Sequence, residues 1–134
     1  MFDRFKPTTQ MLGRWQPWHP GHTELFKRAL AETGQVCIMI RTVPQDTDAS
    51  GGRTMTQDDN PFKVADVEDN IKKELEKEGF VYNREYTIMI VPNIVDISYG
   101  RGVGYTFTEH DLGKDIHNIS ATKIRAEMRD KGEL

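Results

Sequence analysis

Histidines 19 and 22 stand three apart around a proline and a glycine in the stretch 13–22, GRWQPWHPGH, which holds two of the four histidines and both tryptophans of the chain. Side chains at that spacing lie on one side of a helical turn, so His19 and His22 can address the same group of ligand atoms, and Gly21 offers no side chain to block the approach. A helix beginning here adds backbone N–H groups and the positive end of its dipole, which together suit an anion. Phosphate is the natural guest. An imidazole titrating near neutrality can donate to charge building on a phosphoryl oxygen without the permanent cost of a buried cation.

A second stretch far along the chain repeats this physics. In SATKIR (120–125) the hydroxyls of Ser120 and Thr122 fall at another helix start, and Lys123 and Arg125 add a mobile and a bidentate positive charge. A polyphosphate could bridge the two helix starts. Phosphoryl and nucleotidyl transfer ask mainly for positioning and charge stabilisation, usually with Mg²⁺ across the phosphates. Arg41, directly after an apolar run, suits an anionic substrate; its alternative is a surface salt bridge. The four imidazoles, His110 and His117 included, could instead be read as zinc ligands. Against that, the spacing of the first pair is less usual than four, no acidic residue accompanies the pair as a base, and His110 and His117 sit on a polar connection. No metal site is expected from the protein's own side chains.

These residues must be positioned by a small set of elements. TTQMLG (8–13) is β-prone and closed by Gly13. A helix fits 22–33, where Leu25, Phe26, Ala29 and Leu30 recur at helical spacing, and Gly34 stops it. The run 35–43 is almost continuously apolar, as in a strand covered on both faces. The polar 44–59 segment reads as a loop and a candidate substrate lid. Asn60-Pro61 offers a cap and first turn for a helix whose stripe is Val64, Val67, Ile71 and Leu75, ending at Gly79. A further apolar strand fits 86–97, interrupted by Pro92-Asn93. The glycine-rich 98–104 segment follows, either approaching a ligand closely or forming a hairpin or bulge. A last helix fits 119–132, with Ser120 as cap and Ile124 and Met128 facing inward. Trp15 and Trp18 read as core more than as ligand-stacking rings. This alternation predicts an α/β fold: a Rossmann-like parallel sheet with helices on both faces and the candidate groups gathered at the carboxyl edge of the strands.

With 134 residues, one domain spanning 1–134 is expected. The formal charge of −3 gives no sign of the broad basic surface that nucleic acid demands, so an anion would be met locally. A single cysteine, Cys37, in an apolar run, no span of about 20 apolar residues and no secretory layout at the N-terminus point to a cytoplasmic protein that neither crosses nor binds a membrane. No GxxxxGK[ST] loop is present, which excludes a P-loop kinase.

GRWQPWHPGH resembles the GRFQPFHxGH form of the HxGH signature of the nucleotidyltransferase superfamily, and ISATKIR (119–125) resembles that superfamily's C-terminal ISxTxxR signature. The two occur in the family's order, about 100 residues apart, and the lead-in is most similar to the nicotinamide-mononucleotide adenylyltransferase branch. The resemblance implies a nucleoside triphosphate over the carboxyl edge of the sheet, attacked at its α-phosphorus by an anionic acceptor with release of pyrophosphate, in a Mg²⁺-dependent reaction. It implies that His19, His22 and Arg125 act in catalysis. It further implies that Gly13, Arg14, Gly21, Ser120, Thr122, Lys123 and, from the 99–105 loop, Arg101 lie on the nucleotide side, with ATP favoured over CTP. Nine residues follow Arg125, fewer than nicotinamide-mononucleotide enzymes carry there, and both aromatic positions of the lead-in are tryptophan, so the acceptor is left open. Competing expectations are a cytidylyltransferase acting on an alcohol phosphate and a catalytically silent nucleotide-binding module. Relatives of this size commonly associate, so a homodimer is among the expected states.

Overall fold

Apolar runs and amphipathic stripes set the order of elements in the computed structural model. It describes residues 1–43, 48–50, 53–54, 62–101, 104–113 and 121–132, with the backbone alone at 48–50, 53–54 and 121–122. Strand β1 (Thr9–Gly13) leads through helix α1 (Pro20–Thr33) to β2 (Val36–Arg41). The short strands β3 (Asp48–Ser50) and β4 (Arg53–Thr54) pair antiparallel. Helix α2 (Val64–Lys77), strand β5 (Tyr86–Val91) and helix α3 (Ala121–Asp130) follow. Strands β1, β2 and β5 form a parallel sheet in that order, with Met11, Ile38 and Ile88 in register across it.

The helices form where the spacing predicts them. Phe26 and Ala29 are the buried side of α1, which Gly34 ends at φ 90° with its N–H on the Leu30 carbonyl at 2.7 Å. Val67, Ile71 and Leu75 are the buried stripe of α2, and Gly79, at φ 89°, turns the chain away from it. Strand β5 stops at Val91 because Pro92 has no N–H to continue the ladder, so the strand expected over 86–97 is half that length.

Two connections cross the sheet in the same direction, β1 to β2 and β2 to β5. Right-handed crossovers then put α1 and α2 on the same face. The packing agrees: Val36, Ile38 and Ile40 are buried with Phe26, Ala29, Val67, Ile71, Leu75 and Tyr86 in one cluster. Phe26 meets Phe80 and Tyr86 edge-on at ring separations of 5.1 and 5.7 Å. On the other face Cys37 and Met39 are half-buried and Met89 is exposed. The helices on both faces expected from the unbroken apolar run are therefore not what α1 and α2 provide. The residue types of the second face are apolar even though its cover is partial, and that hides the alternation in the sequence.

Other boundaries also differ. Helix α1 starts at Pro20, two residues before the expected start, so the histidines belong to its cap and first turn. Helix α2 starts at Val64 with Lys63 as its cap, not at Asn60-Pro61. Asn60, Pro61, Ser120, His117 and most of the 44–59 lid candidate lie outside the described residues. Among the described residues no helix is long and apolar enough to cross a membrane.

Candidate functional site

Helix α1 opens on a cap built from its own two histidines. His19 is the N-cap, in extended backbone, and its Nδ1 accepts the Gly21 N–H at 3.0 Å. In return His22 Nδ1 accepts the His19 N–H at 3.2 Å. This is the reciprocal logic of a capping box, made with imidazoles in place of the usual hydroxyl and carboxylate. The N–H groups of His22 and Thr23 both donate to the His19 carbonyl, at 2.9 and 3.1 Å, and Pro20 has none. The free backbone amides that the sequence led us to expect for an anion are thus already engaged. What remains follows from the hydrogen-bond network: each ring accepts at Nδ1, so each neutral ring carries its proton on Nε2, the group it can offer a ligand.

Packing holds both rings in place. They stack at 3.7 Å between centroids and 20° between planes. Trp15 meets His22 edge-on at 4.8 Å, and Trp18 lies 5.4 Å from it. The tryptophans are core, as their type suggested, and each indole N–H is anchored: Trp15 on the Met39 carbonyl at 3.0 Å, Trp18 on Thr23 Oγ1 at 2.8 Å. Gly13 serves this packing, since a Cβ there would come within 2.8 Å of the Trp15 ring. Trp15 itself is left-handed at φ 55°, a conformation costly for a bulky residue and held by these contacts. Burial lowers the pKa of His19, and burial followed by the charge of His19 pushes His22 down to about 3. The near-neutral titration expected from sequence is therefore replaced by a permanently neutral donor at physiological pH.

Gln16 ties this cap to distant parts of the chain. Its side-chain amide donates to the Phe62 carbonyl at 3.0 Å and accepts the Phe62 N–H at 2.9 Å, while its own carbonyl accepts Arg125 Nη1 at 2.7 Å. Arg125 is 3 % exposed. Helix α3 is thereby brought to the histidine loop, so the two motifs meet in space across 109 residues of sequence. Gln16 was not among the candidates. Its position inside GRWQP, polar and flanked by core tryptophans, was the available signal.

Arg41 ends β2 at the carboxyl edge of the sheet. Its Nη1 rests on the Ile94 carbonyl at 3.4 Å, its Nε is buried without an acceptor, and no carboxylate pairs with it among the described residues. Gly21 is buried in the cap, and Arg14 is half-buried just after β1. Lys123 is exposed on α3, whose first turn includes the Thr122 backbone; the Thr122 side chain lies outside the described residues. Arg101 is exposed beyond β5, and no hydrogen bond or ring contact among the described residues links it to the histidines. His110 is half-buried, and among the described residues it joins no group of His, Cys, Asp or Glu that could hold a metal.

Comparison with known proteins points the same way as the paired motifs. No protein-family model matches the chain. It is similar to the nicotinamide-nucleotide adenylyltransferase of Methanococcus maripaludis, 30% identical over 89 residues that make up 66% of this chain and 43% of that protein. It is also similar to the nicotinamide-nucleotide adenylyltransferase of Thermoplasma acidophilum, 34% identical over 82 residues, 61% of this chain and 38% of that protein. The chain thus matches these curated relatives over about two fifths of their length, which is a likeness at the level of the nucleotidyltransferases.

Proposed function

We propose that this chain is an adenylyltransferase that moves AMP from ATP to a small anionic acceptor and releases pyrophosphate. The observation that carries the reading is the histidine cap braced to Arg125 through Gln16, which puts two neutral Nε2–H donors and a guanidinium around one helix start. The relatives' names, nicotinamide-nucleotide adenylyltransferase, support the same class of reaction. In the transfer an acceptor oxygen forms a bond to the α-phosphorus as the bond from that phosphorus to the bridging oxygen breaks, and pyrophosphate leaves with the electron pair. A phosphate-type acceptor needs no proton removed.

The protein's share is positioning and charge stabilisation. Donors fixed by their own Nδ1 bonds need no reorganisation when charge develops on the phosphoryl oxygens. His19, His22 and Arg125 take this part, with Arg14, Lys123, Ser120 and Thr122 on the triphosphate side. No group of three or more His, Cys, Asp or Glu among the described residues could hold a metal, so Mg²⁺ is proposed to arrive held by the phosphates of ATP, whose charge it offsets.

The test is His22→Asn. Its side chain can still accept the His19 N–H in place of Nδ1, keeping the cap, but lacks the Nε2–H. Pyrophosphate release with ATP should fall by roughly 10² to 10³, with the folded state retained by circular dichroism. Unchanged turnover sinks the proposal; nucleotide binding with no pyrophosphate from any acceptor would favour a silent module, and preference for CTP a cytidylyltransferase.

A further inference from the structure

Gln16 has a second side. Beyond its contact with Phe62 opens a cavity of about 240 Å³, walled by Gln16, Ile40, Arg41, Phe62, Lys63 and Val64. It lies where β2 ends and α2 begins. We propose that this cavity is the acceptor subsite and that it holds a tetrahedral oxyanion, a phosphate or sulfate group, between Arg41 and Lys63. The inference rests on the adenylyltransferase reading and specifies the half of the reaction left open there.

Charge is the first argument. Arg41 and Lys63 both line the cavity, and neither has a carboxylate partner among the described residues. Arg41 is also incompletely satisfied among the described residues: Nη1 has the 3.4 Å contact to the Ile94 carbonyl, and the buried Nε has no acceptor. A buried charged donor without an acceptor is costly, and the planar N–H fork of a guanidinium matches two oxygens of a tetrahedral anion. Helix α2 adds to this. Its N-cap, Lys63, makes no side-chain capping bond, so the start of a 14-residue helix faces this region with only Asp66, in the first turn, set against its positive end.

Size is the second argument. Pockets that enclose whole small molecules span roughly 300 to 1,000 Å³. A cavity of about 240 Å³ suits a head group and a few attached atoms, not a nucleotide. Ile40, Phe62 and Val64 supply an apolar side for those atoms. The third argument is place. Gln16 walls this cavity with its side chain and holds Arg125 with its carbonyl, three residues before His19, so the oxyanion would sit on the far side of one residue from the histidine cap.

Calorimetry on the full chain tests this in two stages. The protein is first titrated with α,β-methylene ATP and Mg²⁺, then, nucleotide-saturated, with inorganic phosphate, sulfate or glycerol phosphate. Arg41→Gln and Lys63→Gln should each weaken oxyanion binding by about tenfold, the scale of losing one charge-assisted contact, while nucleotide affinity is unchanged. Tighter binding of glycerol phosphate than of the inorganic ions would assign the head group to an organic ester; the reverse would assign it to a free oxyanion. Oxyanion binding that neither substitution weakens, or none at all on nucleotide-bound protein, overturns the subsite. Failure of the nucleotide itself to bind would overturn the adenylyltransferase reading, and is recorded separately in the first stage.

Discussion

The starts of α1 and α2 solve opposite problems. At α1 every available first-turn amide through Thr23 is taken by His19, the histidines are neutral, and their rings are clamped by tryptophans. At α2 the cap makes no side-chain bond, two cations face a cavity, and a guanidinium nitrogen lacks an acceptor. The first is a sealed network whose donors can respond to charge that appears during a reaction. The second is an unsatisfied positive site, suited to charge already present on a ligand. The difference separates stabilising a transition state from holding a ground-state substrate.

The sharpest way to break that contrast is kinetic. His22→Asn is expected to lower kcat by roughly 10² to 10³ with little change in acceptor KM. Arg41→Gln is expected to raise acceptor KM about tenfold with a smaller effect on kcat. Steady-state kinetics on both variants would erase the distinction if the two profiles coincided.

Gln16→Ala attacks both sites at once, because one side chain serves both. It leaves the Phe62 N–H and carbonyl without their partner, at about 1 to 3 kcal/mol for each group that stays buried. Denaturant unfolding should show a loss of about 2 to 6 kcal/mol, and nucleotide and oxyanion binding should weaken together. Weakening of only one would mean that the shared wall is not a coupling element. Gly13→Ala should touch the α1 side alone. Its Cβ would crowd the Trp15 ring, which must shift against His22, at about 1 to 3 kcal/mol; oxyanion binding at the α2 side should be unaltered in calorimetry.

Legibility in the sequence follows how local each feature is. The stripe of α2 and the Gly34 stop of α1 are written within a few residues, and the structure has them where the spacing put them. The histidine pair was visible from its spacing, but its capping bonds were not: they depend on imidazoles taking a role usually filled by Ser, Thr or Glu. The Gln16–Phe62 and Gln16–Arg125 contacts join residues 46 and 109 apart, and no local periodicity encodes them. The cover on the second face of the sheet was hard to read for a different reason. Cys37 and Met39 are apolar in type while only half-buried, so the alternation of β2 exists in burial and not in residue type.

The finest test concerns protonation at α1. An ordinary histidine takes up a proton near pH 6.5, whereas His22 in the folded chain resists it until about pH 3, mainly through burial. Between those values the unfolded chain binds more protons than the folded one. His22 therefore contributes stability that is fully present above about pH 6.5 and is lost as pH falls towards 3, at up to about 1.4 kcal/mol per pH unit. His19, lowered in the same direction by burial, adds to the same trend. Asparagine at position 22 does not titrate. Unfolding free energies at pH 6.5, 5.5 and 4.5 should then fall more steeply for the wild type than for His22→Asn. Ring nitrogen shifts should keep His22 a neutral Nε2–H tautomer from pH 8 to 5. Equal slopes, or a ring that charges in that range, would make the α1 site a cationic one like its neighbour at α2, and the division of labour between the two helix starts would have to be redrawn.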